Sequence, residues 1–100
     1  VVLSTAEGRA DFSSQGDSGK VARVLRFVGH DGQHTEAYPA NPTGSPDGLA
    51  GVTTTDGRFT ALIVHPDRSV RNAQVSWSDG PTAASTGWGR LFANARAHLA

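Results

Sequence analysis

The pattern of apolar and polar positions is most strand-like over residues 20–28, KVARVLRFV, a run of high β-propensity interrupted by Arg23 and Arg26. Val21, Leu25 and Phe27 share one face with Arg23, while Ala22, Val24 and Val28 share the other with Arg26. A strand that is half apolar on both faces is expected at the centre of a sheet. Residues 1–4, 59–64 and 74–77 read as further strands, the last with Val75 and Trp77 facing the core. Residues 49–52 read as one helical turn. Trp88, Leu91, Phe92, Ala95 and Leu99 fall at helical spacing behind Ser85 and Thr86 as N-caps, so a terminal helix is expected over residues 88–99.

Asp-Gly pairs at Asp31, Asp47, Asp56 and Asp79 punctuate these segments with residues suited to tight turns. Residues 11–19 are a polar connector. Between His30 and Gly48 the density of Gly, Pro, Asn and Asp excludes regular structure, and so long a loop in a small domain points to function. HPDRSVRN, residues 65–72, reads as an exposed polar loop. The pattern predicts an α+β fold: a small antiparallel β-sheet of four to five strands with one or two short helices, in a single domain over residues 1–100.

Composition narrows the function classes. The chain is 37% apolar and 18% charged with a formal net charge of zero, which predicts a folded chain and excludes a polyelectrolyte partner. Eight of the nine basic residues are Arg, spread along the chain, so neither nucleic acid nor an anionic membrane is expected to bind. No apolar run approaches a membrane span. Cysteine is absent, which removes disulfides and thiol chemistry from this stretch.

Individual motifs carry little chemistry. Gln15-Gly16-Asp17-Ser18-Gly19 matches the nucleophile segment of chymotrypsin-like proteases, but no His precedes it to act as base, and a polar turn is expected. His30 and His34 with Asp31 and Glu36 have donor types suited to a metal, yet they sit in a Gly-containing loop, where solvated histidines are the expectation. Trp77 and Trp88 are expected in the core. There is no GxGxxG and no GxxxxGK segment, and no cofactor is expected.

An ordered series of segments resembles the Streptomyces subtilisin inhibitor family of secreted protease inhibitors. VVLSTAEG is similar to its opening strand, GKVARVLRF to its second strand, and GQH with YPANP to its Gly-x-His-Pro loop. DGLAGVTTTDGRFTAL, SWSDG and LFANA are similar to its later segments. The chain departs from that family in carrying Phe27 and Arg96 where cysteines would fall, with Val70 near a third, and in a shorter loop at residues 65–72. The resemblance implies a secreted, non-enzymatic inhibitor of a subtilisin-type or trypsin-type serine protease, with a homodimer through its sheet face. Its protease-binding loop would be Arg68, Ser69, Val70, Arg71 and Asn72, with Arg71, or as second choice Arg68, filling the specificity pocket. It also implies that residues 48–62 are largely helical, against the strand that the local pattern gives over 59–64. A second resemblance, over residues 20–68, is to bacterial lipocalin-like domains, and implies a β-barrel holding a small apolar molecule.

Overall fold

The structure, a computed structural model, describes residues 3, 8–14 and 16–99. The chain divides into two compact units, Thr5–Ile63 and Val64–Ala100 together with Val1–Ser4. The fold is α+β: among the described residues, a three-stranded antiparallel sheet, four 3-10 turns and one helix. The strand expected over residues 1–4 lies largely outside the described residues.

The first unit holds the sheet, β1 (Ala22–Arg26), β2 (Leu49–Thr53) and β3 (Thr60–Leu62), in the order β1-β2-β3. The segment read as a helical turn is therefore the central strand. Leu49, Ala50 and Gly51 are buried there, and both backbone edges of β2 are taken by partners, from Arg23↔Val52 on one side to Val52↔Ala61 on the other. Gly51 fits because a Cβ would meet Leu62 Cδ2 at 2.6 Å and Val24 Cγ2 at 3.2 Å. Four apolar or small residues in a row fit either a helical turn or a strand buried on both faces, and only the neighbours decide.

β1, expected at the centre, lies at the edge, with Ala22, Arg23 and Val24 exposed. Arg23 and Arg26 would point to opposite faces of a regular strand. Register shifts on either side of Leu25 re-phase β1, and both guanidinium groups reach the same oxygen, Asp47 Oδ2, at 3.1 and 2.8 Å. Charges along an edge also discourage pairing with another chain. β2 and β3 are joined by a tight turn in which Asp56 Oδ1 accepts from Arg58 N–H at 3.1 Å and from Thr54 Oγ1 at 2.5 Å. The hydroxyl first and the amide second hold the Asp56 carboxyl below its ordinary range.

The long loop before β2 is organised by a buried polar side chain. Asn41 is 1% exposed; its Nδ2 donates to Thr35 O and Ser45 O, each at 3.0 Å, and its Oδ1 accepts from Thr43 N–H at 3.1 Å and Gly44 N–H at 3.0 Å. Ser45, also buried, accepts from Ala10 N–H at 3.0 Å. The loop ends in a turn, Pro46–Gly48, where Asp47 has φ 59° and Gly48 φ 67°. A Cβ on Gly48 would meet Phe27 O at 2.9 Å and Thr35 O at 3.0 Å, both backbone atoms that cannot swing away.

The second unit contains the turns Pro66–Arg68 and Asn72–Gln74 and the helix α1 (Gly89–Leu99). The strand expected over residues 74–77 is absent. Gln74 Oε1 accepts from Arg71 N–H at 2.9 Å and Val75 N–H bonds Asn72 O at 3.3 Å, so a turn uses the groups a strand would need. Trp77 is 80% exposed rather than in the core, whereas Trp88 is half-buried. α1 matches the expected helix, and Thr86 Oγ1 accepts from Trp88 N–H at 3.1 Å at its start.

Gly48→Ala combines a left-handed φ with backbone collisions and should cost on the order of 3 kcal/mol, against about 1 kcal/mol for Gly44→Ala, which has the same φ sign and open space around it. Thermal melts should therefore show a drop in Tm for Gly48→Ala at least twice that for Gly44→Ala; equal drops would mean the close approach is wrong. Asn41→Asp turns two donated bonds into contacts between oxygens and should cost about 3 kcal/mol at neutral pH. Burial, with one carboxylate oxygen set against Thr35 O and Ser45 O, raises the folded-state pKa of such a carboxyl, so the loss should shrink as pH falls toward the unfolded-state carboxylate range, which Tm measured against pH will show.

Candidate active site

Among the described residues two histidines face carboxylates, an arrangement in which the carboxylate orients the ring and the ring can serve as a base. In the first, His34 Nε2 lies 2.9 Å from Asp47 Oδ1, and His34 Nδ1 lies 3.1 Å from Arg26 Nη1. Guanidinium can only donate, so Nδ1 accepts and Nε2 carries the proton that goes to Asp47. Both ring nitrogens are thus committed to protein groups, and Arg23 and Arg26 saturate the same carboxylate. Glu36 Oε1 accepts from Asp47 N–H at 2.6 Å, and Asp31 Oδ1 accepts from Gln33 N–H at 3.0 Å. Asp31, His34 and Glu36 are therefore engaged in turn and ion-pair contacts, His30 is exposed, and among the described residues no three such side chains converge to hold a metal.

The second pair has a different character. His65 follows β3 along the chain, and Pro66 begins the 3-10 turn Pro66–Arg68 that turns the backbone back. That turn brings Asp67 Oδ1 to 3.5 Å from His65 Nδ1, an ion-pair distance. The His65 side chain is one-third exposed, and the Asp67 side chain is more open. With Asp67 facing Nδ1, the neutral tautomer that this carboxylate favours carries its proton there.

The turn that holds this pair is built from backbone hydrogen bonds around a buried serine. Arg68 N–H donates to His65 O at 3.1 Å and Ser69 N–H to Pro66 O at 3.0 Å. Ser69 is 0% exposed, with its Oγ 3.5 Å from His65 O. Beyond it the chain pairs with residues 82–86: Thr86 N–H donates to Val70 O, Asn72 N–H to Ala84 O and Ala73 N–H to Thr82 O, at 2.8, 2.8 and 3.0 Å. Thr86 Oγ1 donates a short hydrogen bond to Ser69 O.

Residues 65–72 are thus a turn followed by a paired segment, not a free convex loop. Of the five residues read as a protease-binding loop, Arg68 and Arg71 are exposed, Val70 and Asn72 are half-buried and Ser69 is fully buried. Ser18, in the protease-like segment, opens the 3-10 turn Ser18–Lys20, where Asp17 Oδ1 accepts from Gly19 N–H at 2.8 Å.

A family model for the CobB/CobQ-like glutamine amidotransferase domain matches residues 1–99. The chain belongs to that family. The match overturns the inhibitor resemblance, and with it the non-enzymatic reading and the serine protease as partner. It equally displaces the lipocalin-like alternative, whose barrel finds no counterpart in an order of three strands among the described residues. Short segments such as YPANP and DGRFTAL carried those resemblances because turn and strand residues recur across unrelated folds. What sequence reasoning missed in the amidotransferase chain was His65-Pro66-Asp67. The available signal was a histidine and a carboxylate flanking a proline just past a strand.

Proposed function

We propose that this chain supplies the acid/base half of a glutaminase site, with His65 as the general base and Asp67 as its orienter. The family supplies the reaction class, release of ammonia from the side-chain amide of glutamine, and the His65–Asp67 contact is the observation that carries the assignment.

Amide cleavage needs a nucleophile, a base that takes its proton and an acid that gives a proton to the departing nitrogen. His65 Nε2 accepts the nucleophile's proton as the nucleophile bonds to the amide carbon. The same proton then passes to nitrogen as the C–N bond breaks and ammonia leaves. Water attacks the remaining acyl group with His65 again as base, and glutamate departs with the nucleophile restored. Asp67 holds the imidazole in the tautomer that exposes Nε2 and stabilises the imidazolium formed between the two transfers.

The 100 residues contain no cysteine, so a thiol nucleophile would come from residues outside them. Ser69 does not substitute for it, being fully buried with its hydroxyl near the His65 carbonyl oxygen. The His34–Asp47 pair is excluded as base because Arg26 occupies its second ring nitrogen.

In an amidotransferase carrying this segment, His65→Gln should lower kcat for glutamate release by about 10³-fold or more, and Asp67→Asn by roughly 10²-fold, with KM for glutamine nearly unchanged. His34→Gln should leave kcat within about twofold. Loss of activity in His34→Gln with retention in His65→Gln, measured by steady-state glutamate release, would reverse the assignment.

A further inference from the structure

The His65–Asp67 pair sits on a turn only a few residues long, and the geometry of so short a turn is set by what grips its far end. That end is the carbonyl of Ser69, buried with the rest of its residue. Thr86 meets it with its hydroxyl and meets the next carbonyl, Val70 O, with its own N–H at 2.8 Å. The same hydroxyl oxygen accepts from Trp88 N–H at 3.1 Å, and Thr86 O accepts from Gly89 N–H at 3.1 Å, where α1 begins. One threonine therefore uses its donor and acceptor groups to fasten the end of the histidine turn to the first turn of the helix.

We propose that Thr86 is a positioning residue for the glutaminase reaction: through Ser69 O it fixes the turn that keeps the Asp67 carboxylate on His65 Nδ1. The proposal rests on the reading of His65 as base. Thr86 touches neither the ring nor any reacting atom, so it acts only through the turn. Serine at this position keeps the donor and the acceptor. Valine keeps the shape and loses both. Aspartate keeps an acceptor for Trp88 N–H and caps the helix, but it has no proton to give Ser69 O and sets a negative oxygen against it. These three substitutions separate holding the turn from capping the helix.

The test is ring-nitrogen NMR of the full chain with labelled histidines, at a pH above the ordinary imidazole range, His65 being assigned with His65→Gln. The wild-type ring should show a predominant Nδ1–H tautomer, and Asp67→Asn should lose that preference. Thr86→Val and Thr86→Asp should move the His65 signals most of the way to those of Asp67→Asn, with the His34 signals unshifted. Thr86→Ser should match the wild type. Circular dichroism should show α1 retained in Thr86→Asp, which keeps the test decisive if Thr86→Val fails to fold. Wild-type His65 signals in Thr86→Asp would overturn the proposal, because capping alone would then suffice. The same signals in Thr86→Val would overturn it outright. In the intact amidotransferase, Thr86→Asp should lower kcat about tenfold with KM for glutamine within about twofold, and Thr86→Ser should restore it. The two readings fail separately: an Asp67→Asn enzyme with full activity removes the role of the pair, whereas unmoved His65 signals in the Thr86 variants remove only the role of Thr86.

Discussion

Hydrogen bonds to buried polar groups govern this chain more than apolar packing does. Among the described residues the buried hydrophobic side chains are Leu49, Ala50 and Val64, while Asn41, Ser45 and Ser69 are buried more completely. A buried polar group without partners costs a large fraction of a small domain's stability, so the backbone around each one must take the shape that satisfies it. Asn41 gathers the backbone of residues 35–45 by donating twice and accepting from two amides. Ser69 does the corresponding work in the second unit, where its amide closes the turn behind His65 and its carbonyl receives the Thr86 hydroxyl. Among the described residues no buried side-chain nitrogen or oxygen lacks a partner.

The same rule separates two histidines that look alike in sequence. Each faces an aspartate, but Arg26 donates to the second nitrogen of His34, and two guanidinium groups neutralise its aspartate. That pair is a fastening between the edge strand, the loop and the turn before β2. Asp67 has only His65 as an ion-pair partner among the described residues, on a ring that is one-third exposed. The difference in chemistry comes from neighbours, not from the two residue types. Asp47 gains its partners because register shifts in β1 bring Arg23 and Arg26 to one side, whereas Asp67 is placed by a proline-led turn.

Elements defined by their own residues were legible in the sequence. α1 follows from the spacing of Trp88, Leu91, Phe92, Ala95 and Leu99 with Thr86 ahead of it, and β3 from the run after Arg58. Elements defined by their neighbours were not. LAGVT becomes a central strand only because β1 and β3 lie on either side, and KVARVLRFV becomes an edge because nothing among the described residues pairs with its other side. Trp77 is exposed because Gln74 folds back on Arg71 and ends the strand pattern before it starts. The candidate site was legible in part: the histidine and the aspartate stand in plain view, but the contact between them depends on a 3-10 turn and on a threonine far along the chain. The amidotransferase family itself was not legible from single motifs, since no thiol is present in these residues to announce acyl-transfer chemistry.

The role of His65 can be tested most directly by a crystal structure of an amidotransferase carrying this segment, trapped with the glutamine-derived acyl group on its nucleophile. His65 Nε2 should then lie about 3 Å from the acylated atom or from the water poised to attack it, with Asp67 on Nδ1. An acyl group more than about 6 Å from the ring, or His34 in its place, would contradict the assignment.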